Sequence, residues 1–217
     1  ERAGLDAIRL ERNSYSILPD KRTMKTRTVY LNNAANLLEG EGDFDSDTNS
    51  DGVADGWSKY SYGNVVFSVY PGQDTVRMPA QSIYGTRSQK ISATSAAGSL
   101  YKLNHPTIAG HKYLFAGYCY MVGRSATANI STRANSSSSY SGNNLGYYNW
   151  PYILNRWILA GVVFTASSSG TTLIPCYIDS QTCTVYLEGW RLIDLTDLYG
   201  AGKEPTTVET AMNTADT

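Results

Sequence analysis

One segment of this 217-residue sequence places oxygen-bearing side chains at nearly every second position. It runs from residue 43 to residue 56, with Gly52 where a tight turn fits. Ca²⁺ is a hard cation that takes six to eight oxygen ligands, and alternating carboxylates can wrap around one. The segment therefore predicts a calcium site. Its candidate ligands are Asp43, Asp45, Asp47, Asn49, Asp51 and Asp55.

The spacing of the candidate ligands indicates which kind of calcium loop the segment could form. Asp47, Asn49 and Asp51 match the first half of an EF-hand loop, but Ser58 stands where that loop needs its closing Glu. A calcium loop without EF-hand helices fits better. The alternative is a solvated acidic turn, because Asp and Asn favour turns in any case.

Aromatic side chains are the second group that could form a binding site, since the sequence has 17 Tyr and 4 Trp. Sugar rings stack on Tyr and Trp while polar neighbours bond their hydroxyls. In the predicted strand Lys112–Val122, alternation puts Tyr118 and Tyr120 together on the face opposite the core. That pair predicts a glycan platform. The alternative is that both rings pack under the segment 136–152.

That segment, Ser136–Tyr152, is rich in Ser, Gly and Asn and is predicted as a long loop. Tyr148 and Trp150 are its candidate ligand-binding residues. Three interpretations of its aromatic residues stay open, which are a sugar site, a protein interface and a satellite core.

Signals for catalysis are sparse. The sequence contains neither G-x-S-x-G nor H-E-x-x-H, and His105 and His111 have no acidic partner that the sequence identifies. We therefore expect no enzymatic activity. The net charge of −1 argues against a large basic face for nucleic acid or an anionic membrane, and no apolar run is long enough to span a bilayer.

The elements that must position these residues are strands. Tyr, Thr and Val favour strands, and the Gly, Asn and Ser residues between the apolar runs favour turns. At least seven strands with no intervening helix predict an all-β fold, an antiparallel β-sandwich of the jelly-roll kind. The predicted strands include Asn64–Tyr70, Ser88–Thr94 (ended by Ala96-Ala97-Gly98), Lys112–Val122, Trp157–Thr165, a hairpin of Thr171–Ile178 with Thr182–Leu187 around Asp179–Gln181, and a closing strand Val185–Leu195.

Short helices are predicted at both ends. Glu1–Asn13 is predicted as a short helix at the end of a stalk, and a capping box of Thr206 with Glu209 predicts a helix over Thr207–Asn213. These elements divide the chain into a connector (1–35), a sandwich (36–199) and a C-terminal turn and helix (200–217). Cys176 and Cys183 flank the predicted hairpin, and either a disulfide or two buried thiols suits them.

Several segments resemble a known family. Asn36-Leu37-Leu38, Gly42–Asp45 and Asp55-Gly56-Trp57 are similar to the opening of carbohydrate-binding-module jelly rolls of the xylan- and glucan-binding type. Gly110–Phe115 and Val185–Gly189 resemble later strands of that family, as does Asn155-Arg156-Trp157. The resemblance implies a structural Ca²⁺ between the first and last strands. It adds Glu188 to Asp43 and Asp45 as implied ligands.

The segment from Asp194 to Thr206 resembles the ending of tail and receptor-binding proteins of phages that infect Gram-positive bacteria. The resemblance implies a virion tail component, assembled in the host cytoplasm and acting outside it, whose partners are host cell-wall polysaccharide and other virion tail proteins. Such fibres are often homotrimers. The expected function is non-catalytic binding of host polysaccharide. The alternatives are a purely structural or decorative tail domain and an accessory module of a glycan-degrading enzyme.

Overall fold

The computed structural model describes residues 17–19, 26–28, 36–71, 87–125, 129–136 and 142–213. Strands β1 (Ile17–Pro19) and β2 (Thr26–Thr28) pair with each other. Seven further strands form one antiparallel sheet: β3 (Ser58–Pro71), β4 (Arg87–Pro106), β5 (Lys112–Val122), β6 (Ile130–Ser136), β7 (Asn144–Asn149), β8 (Trp157–Thr165) and β9 (Gly170–Asp194). The helices are a 3₁₀ turn (Glu41–Asp43), α1 (Leu195–Tyr199) and α2 (Val208–Asn213).

The long strand β9 divides this sheet into two layers. One edge of β9 pairs with β4 along most of its length. Its other edge pairs with β6 over the first half and with β5 over the second half. We call β7, β6 and the halves of β9, β4 and β3 beside them the β7 layer. The β8 layer contains β8, β5 and the remaining halves.

The core lies between the two layers. Leu100, Ile130 and Ile178 point into it from the β7 layer, and Phe115 and Met121 point into it from the β8 layer. Each fully buried side chain of this size contributes about 1.5–3 kcal/mol. The layers approach closely. A Cβ added to Gly146 of β7 would lie 3.1 Å from the Cβ atoms of Val162 and Phe164 in β8. The predicted all-β antiparallel sandwich is confirmed.

Two predicted strands have the predicted bounds, since Lys112–Val122 is β5 and Trp157–Thr165 is β8. The predicted end of a strand at Ala96-Ala97-Gly98 is wrong, because β4 continues to Pro106. Small residues do not end the strand here because they are buried in it. The break in pattern corresponds instead to irregular pairing, with Ser95 at φ 48° and shifts in register around Ala96.

The predicted hairpin at Asp179–Gln181 is also wrong. Both of its arms belong to β9 and run in the same direction along β4. Ser180, at φ 39°, bends the strand without reversing it. Cys176 and Cys183 are therefore on one strand, and both are buried free thiols.

The segment predicted as a loop, Ser136–Tyr152, contains β7 from Asn144 to Asn149. Its side chains alternate between the core and the outer face, and this alternation outweighs the turn-forming composition. Polar composition alone therefore misassigned a strand.

The C-terminal helix is confirmed as α2, but its cap is one residue later than predicted. The Thr210 amide donates to Oγ1 of Thr207 at 3.1 Å. α1 and α2 cover part of the outer face of the β8 layer, where Leu195 and Ala211 pack with Leu114 and Ala116. The helix predicted over Glu1–Asn13 lies outside the described residues. None of the helices in the described ranges is long and apolar enough to span a membrane.

Candidate functional site

The outer face of the β7 layer carries a row of five residues, one from each of five strands. Tyr60, Ser99, Tyr177, Ser131 and Asn149 are successive register partners from β3 through β4, β9 and β6 to β7. Register partners project from the same face of a sheet. We call this set the Tyr60–Asn149 row.

The row alternates large and small side chains. Ser99 and Ser131 are fully buried, while Tyr60 is 41% exposed. Strands lie about 4.8 Å apart, so Tyr60 and Tyr177 are about 10 Å apart across the intervening strand. The row therefore presents rings that are separated by small side chains covered from solvent. Tyr62 and Tyr147 add exposed rings on the same face, at 72% and 48% exposure.

Arg133 occupies the centre of this surface. It is a register partner of Tyr147, and its guanidinium carbon lies 5.3 Å from the Tyr147 ring centroid and 3.9 Å from that of Tyr177. Its Nε donates a hydrogen bond of 3.0 Å to Oγ of Ser131. The side chain is thus held in one orientation by two rings and a hydroxyl.

Two of the predicted ligand-binding residues point the other way. Trp150 is 1% exposed and its indole N–H donates to Oγ1 of Thr132 at 2.9 Å, so its ring is part of the core rather than of a surface site. Tyr148 is a register partner of the buried Thr132 and packs against the core cluster. Its neighbour Tyr147 is the ring that faces outward.

The predicted pair Tyr118 and Tyr120 does share one outer face, as expected, but on the β8 layer. Tyr120 lies in a second row whose register partners are Lys90, Tyr186, Tyr120 and Trp157. The Tyr120 ring centroid is 5.6 Å from that of Trp157 and 6.3 Å from that of Tyr186. Trp157 is partly exposed here.

Tyr118 is partly buried and lies beside charged residues. Burial raises its pKa, against the lowering influence of the Arg191 charge, and Glu188 is its register partner. Glu188 and Arg191 are both buried. The two helices pack on this side of the sandwich, along β5 and β8, so they restrict the β8 layer rather than the β7 layer.

Several side-chain oxygens of the acidic loop accept hydrogen bonds from the amides of the loop itself. Oδ1 and Oδ2 of Asp47 accept from the amides of Asp51 and Gly52 at 3.2 and 3.0 Å. Oδ1 of Asn49 also accepts from the Asp51 amide, and Oδ1 of Asp51 accepts from Val53 at 2.8 Å. The bonds that Asn49 and Asp51 accept, each from the amide two residues on, are those of Asx turns, and the bonds of Asp47 close a longer turn around them.

Two more candidate ligands accept hydrogen bonds, Asp55 from within the loop and Asp45 from the start of β4. Asp55 accepts hydrogen bonds from Oγ of Ser46 at 2.7 Å and from the amide of Thr48 at 3.1 Å, and these bonds lower its pKa. Oδ1 of Asp45 accepts from the Arg87 amide at 2.9 Å, which ties the loop to the start of β4.

Asp43 differs from the other loop carboxylates. Its Oδ1 is buried without a hydrogen-bond partner, and desolvation raises its pKa to about 6 despite the nearby Arg191 charge. Such an oxygen suits a cation. Within the described residues, however, no three Asp, Glu, His or Cys side chains are grouped as a metal site, so the predicted ligands and Glu188 do not form one cluster. Calcium binding stays a prediction.

The histidines have structural surroundings. Nδ1 of His111 lies 2.8 Å from Oδ2 of Asp194, an acidic partner that sequence inspection did not identify. Asp194 also caps α1 by accepting from the Asp197 amide. His105 is buried, and desolvation lowers its pKa. These contacts hold the C-terminal segment against β5.

Sequence inspection missed Arg133, Tyr177 and Tyr60 as surface partners, and it placed Tyr147 only among the aromatic residues of the segment 136–152. They come from four strands that only the register brings together. The one local signal was the alternation within β7, which places Tyr147 opposite to Tyr148.

Solved structures share this architecture. The enzymatically active domain of tailspike protein 4 from bacteriophage CBA120 is 15% identical, with a TM-score of 0.51, over 74% of this chain and 21% of that one. An arabinose-bound α-L-arabinofuranosidase, MgGH51, is 14% identical, with a TM-score of 0.54, over 74% of this chain and 26% of that one. The chain has the fold of their β-sandwich. It spans only about a quarter or less of either protein.

A third similar structure is the CBM22-1 xylan-binding domain from Paenibacillus barcinonensis Xyn10C, at 14% identity and a TM-score of 0.47 over 70% of this chain and 91% of that one. No protein-family model matches the sequence, and no curated protein matches it significantly.

Proposed function

We propose that this chain is a non-catalytic module of a phage tail protein that binds host cell-surface polysaccharide through the outer face of the β7 layer. The observation that carries the proposal is the Tyr60–Asn149 row, in which rings about 10 Å apart alternate with small polar residues. Successive sugars can stack on such rings while the exposed Asn149 amide and the Arg133 guanidinium bond their hydroxyls.

The tail assignment has two supports. The segment Asp194–Thr206 resembles the ending of tail proteins of phages with Gram-positive hosts, and the sandwich fold also occurs in a phage tailspike. Single sites of this kind bind weakly, so several copies in one tail, as in a homotrimer, would supply avidity. Other tail proteins are the expected assembly partners, and the virion is the expected location.

Calcium is a separate part of the proposal, supported by the buried, unpaired Oδ1 of Asp43. When bound, the ion would stabilise the scaffold through oxygen ligands and would not act in catalysis. Its test is thermal unfolding in EDTA and in added Ca²⁺. We expect Ca²⁺ to raise the midpoint, because a ligand bound only by the native state stabilises it. An unchanged midpoint would remove calcium from the proposal.

The binding test is a pull-down of the chain on host cell walls, with and without enzymatic removal of their polysaccharide. We expect binding that disappears with the polysaccharide and weakens about tenfold in Tyr177→Ala. Tyr152→Ala is the matched control, because Tyr152 is an exposed tyrosine outside the row, at 51%.

A double variant, Tyr118→Ala with Tyr120→Ala, tests the β8 layer. Loss of binding there, with Tyr177→Ala unaffected, would move the site to the opposite face. Binding that survives removal of the polysaccharide would favour a decorative or assembly role. Release of reducing ends from host polysaccharide by the purified chain would contradict the absence of catalysis.

A further inference from the structure

We infer that the glycan bound by the β7 layer carries a carboxylate or phosphate group, and that Arg133 holds this group. The inference rests on the proposed function, because it names the class of polysaccharide that the same surface recognises. It starts from the position of Arg133, whose guanidinium lies against Tyr177 at 3.9 Å and near Tyr147 at 5.3 Å, on the outer face.

The guanidinium keeps most of its donors for a ligand. Arginine has five N–H donors, and in Arg133 the Nε group donates to Ser131. Within the described part of the chain, its terminal amino groups donate no hydrogen bond, and no carboxylate forms an ion pair with it. The two terminal groups therefore offer a fork whose geometry matches the two oxygens of a carboxylate or phosphate.

The fork is also held in place before any ligand arrives. Stacking on Tyr177 and the bond to Ser131 restrict the side chain, so little rotamer entropy remains to be lost on binding. A neutral glycan would use these donors on hydroxyl groups. An anionic group gains a charge-assisted bidentate contact in addition, which is the stronger interaction.

The charges around Arg133 do not oppose an anion. In the Tyr60–Asn149 row itself every residue is uncharged. Along β9, Asp179 is the carboxylate that follows Tyr177, and it lies beside Asn129. Since Arg133 pairs with Ile174 and Ser131 pairs with Tyr177, Asp179 is on the side of Tyr177 away from Arg133.

The test measures affinity for three soluble polysaccharides, which are neutral, rich in uronic acid, and linked by phosphodiesters. We expect wild-type protein to prefer one or both charged polymers, with binding that weakens as salt is added. Arg133→Gln should lose about ten- to hundredfold in affinity for the charged polymer and little for the neutral one. Whether the uronate or the phosphodiester polymer binds more tightly identifies the source of the anion.

Two further variants separate recognition from packing. Lys90→Gln is the matched control. It also removes one positive charge beside a tyrosine, with Nζ 5.7 Å from the Tyr186 ring, but on the β8 layer. Its affinity should stay within about twofold of wild type. Arg133→Lys keeps the charge and loses the fork, so it should bind the charged polymer distinctly less well than wild type.

The possible outcomes have different meanings. If the wild type binds neutral and charged polymers equally, or Arg133→Gln binds the charged polymer as tightly as wild type, the inference is overturned while the glycan-binding function stands. If no polymer binds, the proposed function fails and the inference fails with it. Circular dichroism and the thermal midpoint of each variant confirm that a loss of affinity is not a loss of fold.

Discussion

Arg133 on β6 and Tyr177 on β9 form a stacked pair, with the guanidinium carbon 3.9 Å from the ring centroid. Residues 131 and 177 are register partners, so the pair depends on the alignment of β6 with the first half of β9. The contact therefore depends on the pairing of β6 with β9, and it is also part of the proposed binding surface.

The first prediction concerns the stability that this pair contributes. Arg133→Ala should lower the free energy of unfolding by about 1–2 kcal/mol, because it removes both the cation–π contact with Tyr177 and the hydrogen bond to Ser131. Urea denaturation measures the difference. Arg156→Ala, at an exposed arginine, is the control and should change it by less than about 0.5 kcal/mol. Equal effects of the two substitutions would contradict a structural contribution of the stack.

The second prediction concerns the buried bond between Trp150 and Thr132. Oγ1 of Thr132 accepts from the Trp150 indole at 2.9 Å and donates to the Pro175 carbonyl at 2.9 Å. Thr132→Val keeps the shape and leaves both groups unpaired. Each unpaired group should lower the free energy of unfolding by about 1–3 kcal/mol. Urea denaturation monitored by tryptophan fluorescence measures this change.

The comparison variant for that experiment is Thr184→Val. Thr184 makes its hydroxyl bond with Ser92 at 3.1 Å in a partly buried position, where water can replace it. Thr184→Val should lower the free energy of unfolding by less than about 1 kcal/mol. If the two variants lose the same stability, the buried bond of Trp150 is not the reason.

Sequence patterns predicted the fold well where the period was clear. In β5 the alternation separated Tyr118 and Tyr120 from the core residues, and the structure has this separation. In β7 the polar composition hid the same alternation, so Tyr148 was chosen although Tyr147 faces outward. A difference of one residue reverses the face of a strand side chain.

The surface around Arg133 could not be predicted in the same way. Positions 133, 147 and 177 are far apart in the sequence, and their contact depends on β6 pairing with both β7 and β9. The acidic loop was difficult to interpret for a different reason. Its spacing was visible, but the same spacing also suits the Asx turns that Asn49 and Asp51 form.

The third prediction concerns a glycine in β5. A Cβ on Gly117 would lie 2.5 to 2.7 Å from three atoms of the Trp190 indole, and Trp190 is fully buried. Gly117→Ala should lower the free energy of unfolding by about 1–3 kcal/mol, because the indole must move within a packed core. The midpoint of urea unfolding checks this. Gly146→Ala, where the contacts would be 3.1 Å, should lose less. The reverse order would contradict this account of the packing.

The last prediction concerns pH and Asp43, whose pKa is raised to about 6 by desolvation. A carboxyl with a higher pKa in the folded state binds more protons there, so its ionisation destabilises the fold. In a chelating buffer the free energy of unfolding should therefore fall as pH rises from about 4 to about 6. Because Asp43 is partly exposed, we expect a contribution of about 1–2 kcal/mol.

Asp43→Asn should remove that fall and be the more stable protein near neutral pH. The carboxyls whose pKa is lowered, such as Asp55 and Asp194, lose their contributions at lower pH and are common to both proteins. Asp179→Asn, at an exposed carboxyl, should follow the wild-type profile. Added Ca²⁺ should reverse the sign for wild type alone if Asp43 is a ligand, because a cation favours the ionised carboxylate. Parallel profiles for wild type and Asp43→Asn in both buffers would show that Asp43 is neither desolvated nor a ligand.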